Sequence, residues 1–348
     1  FVLFFKKPEG HILFAKHQKR RDPLTEDNVK KAVINPIAVA LRDLSDRGVF
    51  HGNVRPDNLF YTDNGHAVLG DCFSSFAGSL QPTVFETIER GMCNPQSRGV
   101  GTVQDDIYSL GASVAIILRG ENPFLGMTDK EIIEMKINKG SFAVLTEGMR
   151  FTSSMSEFLR ATLYDDSKQR WNTEQLMSWV EGSRSPARQK AHAKKAPRAV
   201  DFNGKKYYRI KLLARDLYDN LPEAVRVIED GTITNWLERS LKAQETSDAL
   251  TEAVSRASMG GKGGGDYPAR LVTYVSMALD PTAPIRYKDV IVLPNGIVGG
   301  LIEAILTGKD IKTYVELIKN RYPWTWLGFK ENMANDTLDL LRIFDLCS

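Results

Sequence analysis

Side chains that could bind a cation or move a proton are concentrated in a short stretch, HGNVRPDN, which runs from His51 to Asn58. Asn58 and the later Asp71 carry side-chain oxygens, which are the ligands that a hard cation such as Mg²⁺ prefers. His51 has a side chain suited to proton transfer near neutral pH, whereas the amide of Asn53 cannot accept a proton as a base. A structural interpretation also stays open, in which Asn58 caps local backbone and Asp71 ends a strand as a solvated turn residue.

Two predicted strands and a predicted helix surround this stretch. The strands cover Asn58–Tyr61 and His66–Leu69, and the Asp63-Asn64-Gly65 turn between them is typical of a hairpin. A helix is predicted to begin at the capping cluster Thr25–Asn28, because early acidic residues follow Thr25. Pro36 lies inside its apolar pattern, so we expect a kink or a restart there.

The following residues predict further helices. From Asp106 to Leu118 apolar residues recur on nearly every face, which is typical of a buried helix. The Thr128–Glu131 capping box starts another helix, and helical patterns also fit Met155–Leu163 and Thr173–Val180. The Ser/Thr-rich stretch Phe73–Arg98 is expected to be irregular.

Composition changes between Gly182 and Arg198, where six Lys or Arg occur without an acid. We interpret this run as a solvated linker, with binding to an anionic surface as an alternative. Beyond it, Phe202–Lys205 predicts a small hairpin, and helical patterns then dominate. Gly260–Gly265 is expected to be a flexible connector, because Gly263 follows Lys262 where a phosphate loop needs Ser or Thr. The tryptophans are expected in the core, although they could instead anchor a partner: Trp236, Trp324 and Trp326.

The overall composition restricts the class of protein. The length of 348 residues suits two domains, and a net charge of +3 is too small to indicate nucleic-acid binding. The three cysteines (Cys72, Cys93 and Cys347) form neither a metal-binding spacing nor a disulfide framework, so we expect a reducing, cytoplasmic location. The longest apolar run, Leu110–Leu118, is far shorter than the roughly 20 residues of a membrane span. No signal-peptide pattern opens the chain, and because Phe1 lies in an apolar strand-like run we interpret the sequence as a fragment.

Several motifs occur in the order and at the spacings of one known family. In chain order they are HGNVRPDN for H-R-D-L-K-P-E-N, Asp71-Cys72-Phe73 for D-F-G, Asn94-Pro95-Gln96 for A-P-E, Asp106–Gly111 for D-x-W-S-x-G, Gly120–Phe124 for G-x-x-P-F and Leu163–Arg170 for L-x-x-D-P-x-x-R. Each motif alone is weak evidence. Together they resemble the large, C-terminal lobe of the eukaryotic-like Ser/Thr protein kinase family.

The resemblance covers about residues 1–181, in which 1–14 would be the last strand of the small lobe and the hinge. It implies an α+β, predominantly α fold with a kinase-like C-lobe. A basic linker at 182–199 and a mostly helical domain of unknown family at 200–348 would follow. The Gly-rich loop, the nucleotide-pairing Lys and its Glu partner have no counterpart in this sequence. They lie upstream of Phe1 or are absent from the protein, and both alternatives stay open.

The resemblance assigns a role to the polar residues of the first stretch. Asn58 and Asp71 would bind the metal ion, if any binding is retained, and Arg55 would contact the transferred phosphate. Asn53 stands where the family has its catalytic Asp, so the catalytic residue is unknown and we expect phosphotransfer to be absent or very slow.

Three further residues would anchor the fold rather than act in chemistry. His51 would be a packing residue, and Asp106 would accept hydrogen bonds from the backbone around it. Arg170 would be the late Arg of the family.

Departures from the family fall on chemistry and control. Gly52 replaces an Arg that in many kinases grips a phosphate, and Phe73 replaces the Gly of D-F-G. Gln96 replaces the Glu that pairs with the late Arg. We therefore interpret the chain as a degenerate kinase, or pseudokinase, that acts through protein–protein interaction as a regulator or scaffold rather than as an enzyme.

Two alternatives remain. The chain is a divergent active kinase that uses ATP and Mg²⁺ with a small lobe upstream, or it is a binding module whose function lies in residues 200–348. No cofactor is expected unless that small lobe exists. We expect an unidentified protein partner, with the basic patch Lys16–Arg21 a candidate contact for acidic partners, and we expect no membrane span and no nucleic acid.

Overall fold

A computed structural model describes residues 6–14, 22–72, 79, 81–183 and 195–329 of the chain. The chain divides into unit 1, residues 1–91 and 98–190, and unit 2, residues 92–97 and 191–348. The six-residue segment 92–97, which the sequence placed inside the kinase-like region, is thus grouped with the C-terminal unit. The predicted strand Phe1–Phe5, the basic patch Lys16–Arg21, Phe73 and most of the linker lie outside the described residues.

Unit 1 is mostly helical with one small sheet. Its helices and strands are β1 (His11–Ile12), α1 (Glu26–Val29), α2 (Asn35–Asp46), β2 (Leu59–Tyr61), β3 (Ala67–Leu69), α3 (Ile88–Gly91), α4 (Val103–Arg119), α5 (Asp129–Lys139), α6 (Ser141–Leu145), α7 (Ser153–Thr162) and α8 (Thr173–Val180). The antiparallel order is β1-β2-β3, and Leu59 of β2 faces Leu69 of β3. The predicted hairpin is therefore confirmed, and it places Asn58 and Asp71 at the same end of a strand pair.

The first helical segment begins and restarts where the sequence predicted. The Thr25 side chain accepts a hydrogen bond from the Asn28 N–H and caps α1. A π-helical turn, Lys30–Ile34, separates α1 from α2, and Pro36 lies in the first turn of α2. A proline is tolerated there because the N–H groups of a first turn have no intrahelical acceptor.

Helix α4 forms the centre of the core of unit 1. Its residues from Asp106 to Ile117 are buried, which confirms the prediction of a helix that is apolar on every face. Thr102 caps the start of the helix, and its N–H donates to the Asp105 carboxylate at 2.8 Å. Gly120, with φ +74°, caps the end of the helix. Residues of α2, α7 and α8 pack in the same cluster, including Leu41, Phe158 and Trp179.

The stretch Phe73–Arg98 is more ordered than its composition suggested. Its described part contains 3-10 turns at Thr83–Phe85 and Pro95–Ser97 and the helical turn α3. Most residues from Gln81 to Cys93 are buried. Ser and Thr are frequent in loops, so composition alone did not reveal that this segment packs inside the protein.

Unit 2 is a helical domain with two strand pairs. Its helices and strands are β4 (Val200–Phe202), β5 (Lys205–Tyr207), α9 (Ile210–Asp216), α10 (Leu221–Glu229), α11 (Thr232–Trp236), α12 (Gln244–Met259), α13 (Tyr267–Leu279), β6 (Ile285–Tyr287), β7 (Val290–Val292), α14 (Ile297–Thr307), α15 (Lys312–Lys319) and α16 (Tyr322–Phe329). The hairpin predicted at Phe202–Lys205 is present as β4 and β5. The β6–β7 pair and α14 to α16 share a core around Tyr287 and Tyr322.

The tryptophans and the glycine-rich stretch of unit 2 lie where the sequence predicted them. Trp236 and Trp326 are buried, and their indole N–H groups donate to the carbonyls of Arg198 and Ala283 at 2.8 and 2.6 Å. Trp324 is partly buried against the same core. The Gly260–Gly265 stretch forms the exposed connection between α12 and α13, as predicted.

Across the described ranges, the helices are all too short or too polar to cross a lipid bilayer.

Candidate functional site

The stretch His51–Asn58, which together with Asp71 we call the Asn53 loop, is attached to helix α4 through Asp106. The two oxygens of this carboxylate accept the backbone N–H groups of His51 at 2.8 Å and Gly52 at 2.9 Å. Gly52 has φ +68°, a left-handed conformation that costs other residues free energy. Burial raises the pKa of Asp106 to about 7, and these hydrogen bonds act in the opposite direction. The expected contacts of Asp106 are thus present, and its contribution to stability stays a prediction.

The ring of His51 is enclosed, and both of its nitrogens meet backbone groups. Its ring is buried, and Nδ1 accepts the Asn53 N–H at 3.2 Å while Nε2 lies 3.3 Å from the Gly70 carbonyl oxygen. Nε2 therefore carries the proton, since a carbonyl can only accept. Burial lowers the pKa of His51 from its ordinary value. With both ring nitrogens occupied by backbone groups, the geometry favours packing over proton transfer.

The two amides of the loop converge on one backbone oxygen. The side-chain NH₂ groups of Asn53 and Asn58 donate to the Asp71 carbonyl at 3.1 and 3.0 Å. Asn58 also donates to the carbonyl of Asn53 at 2.9 Å. Asn53 Oδ1 is buried, and no partner for it occurs among the described residues. Asn53 therefore links the loop to Asp71, two residues beyond the end of β3, and its remaining oxygen can accept a hydrogen bond.

Charge near the loop is limited. Arg55 Nε lies 2.9 Å from the Asp57 carboxylate, and both side chains are mostly buried. The guanidinium that the resemblance assigned to phosphate thus shares its charge with a neighbouring acid. Asp71 is half-buried, and its charge raises the pKa of both His51 and Cys72 while burial is the larger effect on each.

The donor set at Asn58 and Asp71 fits a metal ion in part. Asn58 uses its NH₂ group on two backbone carbonyls, which orients the amide and leaves its oxygen as the group able to bind a hard cation. Asp71 would supply a carboxylate. In the described part of the chain, no group of three or more His, Cys, Asp or Glu side chains is placed to hold a metal ion. Any Mg²⁺ bound here would therefore depend on oxygens of its nucleotide as well.

Residues 1–180, just over half of the chain, match the protein kinase domain family. The chain belongs to the protein kinase family. The match ends close to α8, the last helix of unit 1 before the linker. The predicted fold class, α+β and predominantly α, is confirmed.

Curated relatives named as serine/threonine-protein kinases match part of this chain at low identity. A calcium and calcium/calmodulin-dependent serine/threonine-protein kinase of Lotus japonicus is 25% identical over 192 residues, 53% of this chain and 37% of that protein. Serine/threonine-protein kinase YPK3 of Saccharomyces cerevisiae is 26% identical over 220 residues, 58% of this chain and 40% of that protein. The chain thus spans about two fifths or less of the length of these relatives.

Arg170, the third predicted anchor, is buried beside α4. Its Nε donates to the Tyr164 carbonyl at 2.9 Å, and Nη1 lies 3.4 Å from the Asp105 carboxylate. Arg170 is thus paired with a carboxylate from α4. Gln96 is grouped with unit 2, and the weakened pair between position 96 and Arg170 stays a prediction.

A buried group of charges that sequence reasoning missed lies between residues 81 and 136. Arg90 and Arg98 contact the Glu86 carboxylate at 2.8 and 3.5 Å. Lys136, fully buried in α5, donates to the carbonyls of Thr83, Val84 and Glu86 at 2.9, 3.0 and 2.7 Å. We call Glu86, Arg90, Arg98 and Lys136 the Glu86 cluster. The four-residue spacing of Glu86 and Arg90 was the one local signal of it.

Proposed function

We propose that this protein is a pseudokinase: a member of the kinase family that acts through protein–protein interaction as a regulator or scaffold, with phosphotransfer absent or very weak. One observation carries the proposal. At the position of the catalytic Asp, Asn53 uses its NH₂ group to hold the Asp71 carbonyl. A side chain that donates in this way serves the loop as a structural link.

The chemistry of the amide supports this proposal. In kinases, a carboxylate orients the attacking hydroxyl and accepts its proton. Asn53 Oδ1 can accept a hydrogen bond from such a hydroxyl but cannot take the proton away. Asp57, an acid of the same loop, is paired with Arg55 at 2.9 Å.

A divergent active kinase is the second candidate, and a specific observation favours it. Asn58 and Asp71 retain oxygens suited to Mg²⁺, and Asn58 is held rigidly by two carbonyls. The similar proteins of Lotus japonicus and Saccharomyces cerevisiae are named serine/threonine-protein kinases. In this alternative, ATP and Mg²⁺ bind with a small lobe upstream of Phe1. A bound Mg²⁺ would neutralise phosphate charge, and Arg55 would orient the phosphate.

Transfer of label from ATP to protein tests the proposal. The natural full-length protein is compared with Asn53→Asp and Asp71→Ala variants, with a general Ser/Thr kinase substrate and Mg²⁺. We expect the wild-type protein to transfer no more label than the Asp71→Ala variant, because both lack an effective site. Measurable transfer by the wild type that disappears in Asp71→Ala would reject the pseudokinase assignment.

Nucleotide binding separates the two candidates further. An active kinase requires a Mg²⁺-dependent increase of the melting temperature with ATP, and that increase should disappear in an Asn58→Ala variant. The exposed turn residue Asn64 offers a matched control, since Asn64→Ala removes the same amide outside the site and should keep the increase. If the natural protein shows no Mg²⁺-dependent shift, the active-kinase alternative is rejected.

A third candidate places the function in residues 200–348. Protein capture by the whole chain would then be reproduced by the C-terminal residues alone, and it would not depend on Asn53, Asn58 or Asp71. Loss of capture in the truncated chain would favour the scaffold proposal instead.

A further inference from the structure

A short loop of the kinase domain, Met92–Ser97, is built into unit 2 by hydrogen bonds to β7. The Asn94 N–H donates to the Ile291 carbonyl at 3.0 Å, and the Ile291 N–H donates to Asn94 Oδ1 at 2.7 Å. Just beyond β7, the Leu293 N–H donates to the Ser97 carbonyl at 3.1 Å. The loop therefore lies beside the strand pair and satisfies backbone groups that an edge strand would otherwise expose.

The same loop fits closely against α14 and α15. A Cβ atom at Gly299 would lie 2.6 Å from the Gln96 carbonyl oxygen, and one at Gly300 would overlap both Ser97 Oγ and Tyr314 Oη. The Ser97 and Tyr314 hydroxyls are 3.1 Å apart, and Ser97 is 1% exposed. Two adjacent glycines thus allow the loop backbone to approach a helix more closely than any other residue type would permit.

The base of the loop is closed separately within unit 1. Arg90, on the N-terminal side of the loop, donates to the carbonyls of Arg98 and Gly99 on the other side at 3.1 and 3.3 Å. Arg98 in turn donates to the Gln81 carbonyl at 2.6 Å. Arg90 and Arg98 of the Glu86 cluster therefore join the chain segments on the two sides of the loop.

We propose that the C-terminal domain carries a recognition surface whose ligand is this chain's own Met92–Ser97 loop. The surface consists of Ile291 and Leu293, the Gly299–Gly300 pair and the Tyr314 hydroxyl. It selects Asn at position 94 through the side-chain Oδ1, which accepts the Ile291 N–H, and it selects a small hydroxyl residue at position 97. It fixes the conformation of the loop in the absence of nucleotide or phosphotransfer.

The recognition surface goes beyond the proposed function and does not depend on it. The loop contains Asn94-Pro95-Gln96, the motif that resembles the end of a kinase activation segment. Recognition by the C-terminal domain would couple that motif to residues far along the chain. The coupling would operate equally in a pseudokinase and in an active kinase, so the transfer assay and the test below can fail separately.

Hydrogen exchange on the whole protein, without nucleotide, tests the recognition surface. In a Gly299→Ala variant, the new Cβ would displace the Gln96 carbonyl, and the amides of Asn94 and Leu293 should exchange at least about tenfold faster as their hydrogen bonds open. Gly328→Ala is the matched control, because Gly328 also lies in a helix and has open space around it. It should change exchange at these amides less than about twofold.

An Asn94→Ala variant provides a second measurement that does not add bulk. It removes the acceptor of the Ile291 N–H, so exchange at Ile291 should increase while that of the buried α4 amides stays unchanged. The proposal is overturned if the Asn94 amide of the wild-type protein exchanges at the rate of an unstructured chain. It is equally overturned if Asn94→Ala leaves exchange at Ile291 as it was and Gly299→Ala behaves like Gly328→Ala.

Discussion

The Asn53 loop and the Glu86 cluster lie in the same unit but use polar groups in opposite ways. In the loop, neutral amides take the central positions, and Asn53 and Asn58 both donate to the Asp71 carbonyl. In the cluster, four ionisable side chains are buried together, and Lys136 donates to three backbone carbonyls. The Asn53 loop joins backbone segments through neutral amides, whereas the Glu86 cluster joins them through charged side chains.

The two regions differ in whether the local structure needs a charge. A buried charge is costly unless it is paired and hydrogen-bonded. The buried charges of Glu86 and Lys136 therefore indicate a demand from the surrounding structure. At Lys136 that demand comes from three backbone carbonyls of residues 83–86, which accept the ammonium protons inside the protein. At position 53 a charge would serve proton transfer rather than structure. The neutral amide of Asn53 is enough to bond the Asp71 carbonyl. Buried charge in the scaffold and a neutral amide at position 53 together are compatible with the proposed pseudokinase.

Neutralising Glu86 should have the largest effect on stability. A Glu86→Gln variant leaves the Arg90 and Arg98 guanidinium groups buried without their shared carboxylate, and we expect a loss of about 3–5 kcal/mol in the free energy of unfolding. Urea unfolding followed by tryptophan fluorescence measures it. The control is Glu147→Gln, which removes an exposed partner of Lys139 and should leave the midpoint nearly unchanged. Equal urea-unfolding midpoints for the two variants would show that the buried Glu86 carboxylate contributes no more to stability than an exposed one.

Removing the lysine of the cluster should have the next largest effect. In a Lys136→Met variant, the carbonyls of Thr83, Val84 and Glu86 lose their common donor inside the protein, and we expect a loss of about 3 kcal/mol. Lys139→Met, an exposed substitution in the same helix, is the matched control and should change stability by less than about 0.5 kcal/mol. A Lys136→Met protein as stable as this control would mean that the ammonium contributes nothing to holding residues 83–86.

The same lysine predicts a dependence of stability on pH. Burial lowers the pKa of Lys136 from its ordinary value of 10.5 to about 7. The ammonium form donates to its three carbonyls, and the neutral amine that forms above pH 7 keeps two N–H groups for them. Between pH 7 and 10.5 the unfolded chain binds a proton that the folded protein has released, so stability rises with pH in this window. The difference in unfolding free energy between wild type and Lys136→Met should therefore grow by about 2 kcal/mol from pH 7 to pH 9. A constant difference across this range would show that Lys136 stays protonated when folded.

The contrast also explains what could be predicted from the sequence. The hairpin of β2 and β3 and the buried helix α4 follow from a turn motif and an apolar pattern, which are local signals. Because the family positions of Asn58, Asp71 and Asp106 lie at the ends of these elements, the sequence also placed them close together. The Glu86 cluster was missed because Lys136 reaches its carbonyls only through tertiary packing. The Asn94–Ile291 contact joins residues 197 positions apart, and no local pattern encodes it.

Adding a charge to the Asn53 loop should have the smallest effect on stability. It tests directly whether the amide of Asn53 has a structural role. An Asn53→Asp variant replaces the NH₂ donor to the Asp71 carbonyl, at 3.1 Å, with a second acceptor. We expect a loss of about 1 kcal/mol, the contribution of one hydrogen bond together with repulsion between two oxygens. Asn64→Asp, the same substitution at an exposed turn, is the control and should be nearly neutral. An Asn53→Asp protein as stable as wild type would mean that the loop accommodates a catalytic carboxylate without strain. The amide would then have no structural advantage at position 53, and the contrast with the Glu86 cluster would rest on the cluster alone.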